Sequence, residues 1–399
     1  MTVSRRQFLG GAAALAAAPL LSRLARAAGA RSGRALVVLF QRGAVDGLSM
    51  LVPLGEPELA TLRPRIAVPK PLPLDGRFGL HPRLAALHPL WAAGTLAGIH
   101  AVGLPRAQRS HFEAQELMES GIPDDLGSPD GWGNRALRVG GSEEDPFRAV
   151  AIGDSTPRAL AGTAPTLAVD RPEQFGVRAP PRARAAMEEA FAAMYAGRDD
   201  AASVAGRRGL AAAARLRAVV EKDGGPANGA VYPKGPLGNG LRAAAQILRG
   251  ALGTELVFVD VGGWDTHANQ GGEDGVLGRH LVSLGDGVAA FVKDLGERMS
   301  DVVLLTMSEF GRTVAENGTG GTDHGWGTAF LAVGGGVRGG RVLGKWPGIS
   351  GEARFEGRDL AVTTDYRDVL AELLVGHLGV RTIADVFPRH AATRVGLVR

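Results

Sequence analysis

The sequence predicts an α/β protein: a mostly parallel central sheet with helices on both faces. Three observations predict it. Short apolar runs recur along the chain, they are unbroken rather than alternating, and helical patterns separate most of them. The first run, Ala35-Leu36-Val37-Val38-Leu39-Phe40, suits a strand covered on both faces. Similar runs stand at 96–102, 149–152, 255–261, 302–307 and 329–333. Helical periodicity falls at 82–93, 111–120, 181–195, 201–221, 237–252, 276–299 and 364–378. Residues 155–250 contain helices and hardly a strand, so a helical excursion on the sheet edge is expected there. No repeat and no domain-separating linker interrupts 31–399, which reads as a single domain.

Composition removes several classes of function. With 45% apolar and 22% charged residues, the chain is neither disordered, nor a coiled coil, nor a multi-span membrane protein. The net charge of +4 suggests nucleic acid at first sight. However, the first 27 residues hold Arg5, Arg6, Arg23 and Arg26 and no acid, so removing them leaves 4 − 4 = 0. A neutral mature chain has no electrostatic footprint for phosphate backbones. The absence of Cys excludes disulfides, thiolate metal sites and Cys nucleophiles.

Residues 1–27 read as a twin-arginine signal peptide. Ser4-Arg5-Arg6-Gln7-Phe8-Leu9-Gly10 carries the arginine pair, 8–21 is a mild apolar stretch, and Ala25-Arg26-Ala27 supplies small residues for cleavage. The apolar stretch falls short of the about 20 residues that span a bilayer. The translocase is thus one expected partner, the periplasm or exterior the expected location, and the mature chain is expected to carry no transmembrane segment.

In sheets of this kind, functional residues gather beyond the carboxyl ends of strands. Loops of this position carry Asp46, then Asp265 and His267 in Gly262-Gly263-Trp264-Asp265-Thr266-His267, then Glu309 and Arg312 in Ser308-Glu309-Phe310-Gly311-Arg312. Asp323 and His324 follow in Gly320-Gly321-Thr322-Asp323-His324-Gly325. Carboxylate and imidazole without thiolate suit Zn, Mn or a similar divalent ion rather than Mg or Ca. Two alternatives stay open: the Asp–His pairs as loop ion pairs, and Glu309–Arg312 as an internal salt bridge. Ser110 precedes the helix that begins at His111. It is either a nucleophile favoured by the helix end or the N-cap of a capping box with Glu113. Gly334-Gly335-Gly336-Val337-Arg338-Gly339 matches a dinucleotide fingerprint, but no helical pattern follows it, so a nicotinamide cofactor is rejected.

Taken together, Asp46-Gly47-Leu48, Arg109-Ser110-His111-Phe112, Gly263-Trp264-Asp265-Thr266-His267, Ser308-Glu309-Phe310-Gly311-Arg312-Thr313, Gly321-Thr322-Asp323-His324-Gly325-Trp326 and Thr364-Asp365-Tyr366-Arg367 give the chain its resemblance. It resembles the twin-arginine-exported family numbered 1501 among the domains of unknown function, placed in the alkaline phosphatase–sulfatase superfamily. The resemblance implies an alkaline phosphatase-like fold and a metal-dependent hydrolase of a phosphate, sulfate or related anionic ester. It implies Ser110 as nucleophile, with Arg312 or Arg109 holding the oxyanion. Asp265, His267 and His324 would hold one metal with Asp323 nearby, while Glu309 would occupy a second metal's cluster and Asp46 would come from the loop after the first strand. Phe310 stands where the superfamily has a histidine, which points to one ion rather than two. The alternative is a non-catalytic exported protein that binds a ligand or another exported protein on the same scaffold.

If Arg5 and Arg6 direct export, replacing both with Lys should leave uncleaved precursor in the cytoplasm. Immunoblots of cell fractions check this, and normal export of the double variant would contradict it.

Overall fold

The computed structural model describes residues 33–141 and 144–399; the signal peptide expected at 1–27 lies outside the described residues. In chain order the strands are β1 (Ala35–Gln41), β2 (Leu51–Pro53), β3 (Leu72–Pro73), β4 (Phe78–Leu80), β5 (Leu96–Gly103), β6 (Ala149–Ile152), β7 (Leu167–Ala168), β8 (Leu256–Val261), β9 (Val302–Met307), β10 (Thr328–Gly334), β11 (Arg341–Leu343) and β12 (Thr364–Asp365). Nine of them form one sheet in the order β11-β5-β10-β9-β1-β8-β6-β7, with β12 also on β5. All pairings in it are parallel except those of β10, which runs antiparallel to both β5 and β9. The fold is therefore α/β with a mostly parallel sheet.

The unbroken apolar run of β1 follows from its burial on both faces. Leu36, Val38 and Phe40 face one core, filled by helices His111–Ser120, Trp132–Val139 and Tyr366–Gly376. Ala35, Val37 and Leu39 face the other, filled by Pro236–Arg249 and Val276–Leu295. The latter helix presents Leu277, Leu281, Leu284, Val288, Phe291 and Leu295 at the 3.6-residue period that puts them on one stripe. It stops at Gly296 rather than running to 299.

Three differences from the sequence reading have local causes. The helix expected at 82–93 is a 3₁₀ segment, Pro82–Leu87, followed by a separate helix, His88–Ala92. Pro89 has no N–H to give and its ring would clash with the preceding turn. The expected excursion at 155–250 is shorter, because Pro236–Arg249 buries most of its length against the sheet. Pro181–Tyr195 and Ala201–Lys222 pair as a hairpin at the sheet edge, where Ala212 and Leu216 of the second helix pack on Phe147, Val150, Val169 and Ile247. The small antiparallel sheet β2-β4-β3 and the edge strand β11 left no apolar run to read, being two or three residues long.

One consequence of the topology positions the site. The carboxyl ends of β1, β5, β8 and β9 point the same way, and the amino end of reversed β10 meets them there. The loops after β1, β8 and β9, the helix after β5 and the loop before β10 are thus gathered at one rim. Helix His111–Ser120 is held at its far end by Gly121, at φ +72°, where a Cβ would lie 2.9 Å from the Phe387 ring and 3.0 Å from Trp132. Gly121→Ala should therefore cost at least about 1–2 kcal/mol from the left-handed backbone alone. Urea unfolding should show a lower midpoint at unchanged m, and an unchanged midpoint would contradict this.

Candidate metal centre

Hydrogen bonds between loops bring the chemistry-bearing residues together. The segment after β9 bridges the segment before β10: Gly311 N–H donates to Trp326 O, Gly325 N–H to Gly311 O and Thr313 N–H to Asp323 O, at 2.8–2.9 Å. The loop after β8 joins them through Thr322 N–H to Thr266 O at 3.1 Å and Gln270 N–H to Gly320 O at 2.9 Å. Gly321 permits this approach, since a Cβ there would lie 2.3 Å from the His267 carbonyl carbon.

Three imidazoles and one carboxylate converge at this junction. His324 Nε2 lies 3.0 Å from both His111 Nε2 and His267 Nε2. Asp265 Oδ1 lies 3.0 Å from His267 Nε2 and 3.3 Å from His324 Nε2, and Asp265 Oδ2 lies 3.5 Å from His111 Nε2. Four ligand-type groups thus close a puckered ring. Ligand atoms of His111, Asp265 and His324 lie within 4.8 Å of one another, and His267 Nε2 adjoins the last two.

The outer nitrogen of each imidazole fixes the inner one. His111 Nδ1 is 2.7 Å from Glu309 Oε1, His267 Nδ1 is 3.0 Å from Asp323 Oδ1, and His324 Nδ1 is 2.8 Å from the Arg109 carbonyl. Burial raises the Glu309 carboxyl, but donors from His111, Gln115 and Gly43 outweigh it and hold the group ionised, below the usual range. Hydrogen bonds from Asn317 and His267 do the same for Asp323. An ionised carboxylate and a carbonyl only accept, so all three protons are assigned to Nδ1. In the neutral rings three Nε2 lone pairs then face one another, an arrangement that hydrogen bonds among them cannot satisfy. Burial lowers the His324 pKa, and the neighbouring charge of His111 adds to that. The Glu309 hydrogen bond raises that of His111, with burial opposing. Phe310, 1% exposed, packs under both rings, with its centroid 4.9 Å from His111 and 5.1 Å from His324.

The expected site residues divide into those at the ring and those elsewhere. Asp265, His267 and His324 meet, and Asp323 stands behind His267. Glu309 is not at the ring: it orients His111 from behind and is fully buried. Its alternative reading as a partner of Arg312 fails too, since Arg312 donates to Asp265 at 2.6 Å and to Thr322. Asp46 lies away from the ring in a buried pair with Arg63 at 2.7 Å. Neither arginine assigned to an oxyanion is free. Arg312 is 1% exposed and clamped to Asp265, and Arg109 is held by Asp359 and Glu356, both at 2.6 Å. The capping box is absent: Ser110 makes no side-chain cap bond, and Glu113 accepts from Gln108 Nε2. His111 is the residue that sequence reasoning missed. Its sequence signal is that of a helix start, although it follows the β5 loop at the same rim.

Residues 153–377 match the family described as "Protein of unknown function (DUF1501)". The chain belongs to this family. Residues 2–22 match the TAT (twin-arginine translocation) pathway signal sequence, so the protein is exported by that route to the periplasm or beyond. Among the described residues no helix is long and apolar enough to cross a membrane. No curated protein matches the chain. Among solved structures, the lipoteichoic acid synthase LtaP from Listeria monocytogenes is similar at 9% identity and a TM-score of 0.28 over 71% of this chain. The chain spans 57% of that structure's length.

In the metal-free protein the Glu309 bond favours protonated His111. Its contribution to stability is complete below the ordinary His range and is lost as pH rises through the raised value. Glu309→Gln should lower the His111 pKa in an NMR titration and flatten that part of the stability–pH curve. An unmoved His111 titration would refute the assignment.

Proposed function

We propose that the protein is an exported metal-dependent hydrolase of a phosphate, sulfate or related anionic ester, built on an alkaline phosphatase–sulfatase-like scaffold. The observation that carries this reading is the gathering of His111, Asp265 and His324 ligand atoms within 4.8 Å of one another, with His267 Nε2 3.0 Å from His324 Nε2. His111, Asp265, His267 and His324 would hold one divalent ion, and the imidazole-rich set suits Zn or Mn better than Mg or Ca. The fit extends outward, because each imidazole has its Nδ1–H on an acceptor, the usual second layer of a metal site. Such an ion would polarise an ester oxygen and neutralise charge that develops on it.

The chain's own residues would do the rest. Ser110 directly precedes His111, and its hydroxyl is not spent on capping. In this reading it attacks the central phosphorus or sulfur, the alcohol leaves, and water then cleaves the seryl ester. The amino end of helix His111–Ser120 adds partial positive charge at the same place. Arg312 acts by fixing Asp265 and Arg109 by fixing its loop, so neither serves as an anion clamp.

That last point favours a second reading. A rim whose arginines Arg42, Arg109, Arg312 and Arg358 are committed to carboxylates also suits a protein that binds a metal or a partner without turnover.

Mature protein loaded with Zn(II) or Mn(II) and assayed on aryl phosphates and aryl sulfates tests this. Turnover is expected with one ester class and should vanish in both Ser110→Ala and Ser110→Asp. Because no cap bond is lost, Ser110→Ala should cost less than the about 0.5–2 kcal/mol of a working cap. Full turnover in Ser110→Ala would remove the nucleophile, and a bound ion with no turnover on any ester would favour the binding protein.

A further inference from the structure

Asp46 is conspicuous in the sequence and takes no part in the ring, yet it is completely buried with Arg63 beside it. Arg63 reaches Asp46 through both terminal nitrogens and also donates to the carbonyls of Thr313 and Val314, at 2.8 and 2.7 Å. These carbonyls directly follow Arg312. Asp46 Oδ2 also accepts from Gln270 Nε2 at 2.6 Å. The other end of that amide, Gln270 Oε1, accepts from the hydroxyls of Thr266 and Thr322, both at 2.8 Å. The Thr322 hydroxyl accepts from Arg312 Nε at 3.2 Å, and Arg312 donates to Asp265 at 2.6 Å.

We infer that Gln270, anchored by the Asp46–Arg63 pair, is a positioning residue for the ion site, acting through Thr322 and Arg312 on the carboxylate of Asp265. The inference rests on the metal reading above.

The direction of every bond in this chain follows from its first member. Ionised Asp46 can only accept, so the Gln270 amide must turn its NH₂ toward it and its oxygen toward the threonines. Both hydroxyls are then spent as donors on that oxygen. The Thr322 oxygen is left with lone pairs, which is what Arg312 Nε requires. With Nε and the second terminal nitrogen of Arg312 both held by Thr322, the remaining terminal nitrogen is aimed at Asp265. Gln270, Thr322 and Arg312 are each at most 1% exposed, so water cannot replace a lost partner. The same assembly grips the backbone on both sides of the site: Gln270 on the loop after β8, Arg63 on the segment after β9.

Removing one hydroxyl in the middle tests the inference without touching a ligand. Zn(II) affinity of the mature, untagged protein can be measured by competition with a chromophoric chelator, beside melts of the metal-free forms. Thr322→Val keeps the shape and the backbone carbonyl that Arg312 uses, but loses the hydroxyl. It should weaken Zn(II) binding by about 10–100-fold, as loss of an outer-layer partner does, and Thr322→Ser should restore it. If Thr322→Val does not fold well enough to titrate, Gln270→Met carries the same expectation. Wild-type affinity in Thr322→Val, or equal weakening in the Ser variant, would overturn the positioning role while leaving the metal reading intact. Wild-type protein that takes up no Zn(II) would overturn both.

Discussion

Three imidazole lone pairs held face to face are the constraint around which this site is organised. Each ring is turned by an acceptor behind it, Glu309, Asp323 or the Arg109 carbonyl, so its proton is spent outward. What remains inside is the Nε2 lone pairs beside the Asp265 carboxylate, which Arg312 holds at 2.6 Å. Those acceptors come from the segment after β9, the loop before β10 and the loop after β5. The arrangement therefore depends on the sheet's strand order, in particular on reversed β10 delivering its amino end to the rim where the other strands finish.

The surrounding charge points the same way. Arg42, Arg109, Arg312 and Arg358 each answer at least one carboxylate, while Glu309 and Asp323 are left with imidazole, amide and hydroxyl partners. A site with surplus carboxylate attracts a cation before it attracts an anion. An anionic ester would have to be drawn by the ion itself, which ties any hydrolytic activity to metal occupancy. Export of the chain by the twin-arginine route is compatible with a site of this kind, whose groups lie far apart in sequence and meet only in the folded protein.

Much of this was legible in the sequence, for physical reasons that can be named. The buried strands were readable because burial on both faces demands unbroken apolar runs, and β6 and β9 fall where those runs do. Asp265, His267 and His324 could be singled out because glycines beside them advertise loops that approach one another closely. His111 could not be separated in this way: a histidine at the first position of a helix looks like any helix start until the strand before it is placed in the sheet. The partners of Asp46, Glu309 and Arg312 were not legible, because a sequence identifies a charged residue but not what it meets in the fold. Asp46 and Glu309 turn out to be wholly enclosed, where a carboxylate survives only if donors surround it. Pro89 is the sequence signal that divides 82–93: it sits in the first turn of the helix His88–Ala92, after the non-helical backbone at Leu84.

The most direct test of the account is the environment of a bound ion. X-ray absorption on mature, untagged protein loaded with one equivalent of Zn(II) reports the number and kind of nearest atoms. The account predicts a shell of three imidazole nitrogens and one carboxylate oxygen at about 2.0–2.2 Å. An all-oxygen shell, or Zn(II) that washes off during gel filtration, would contradict it.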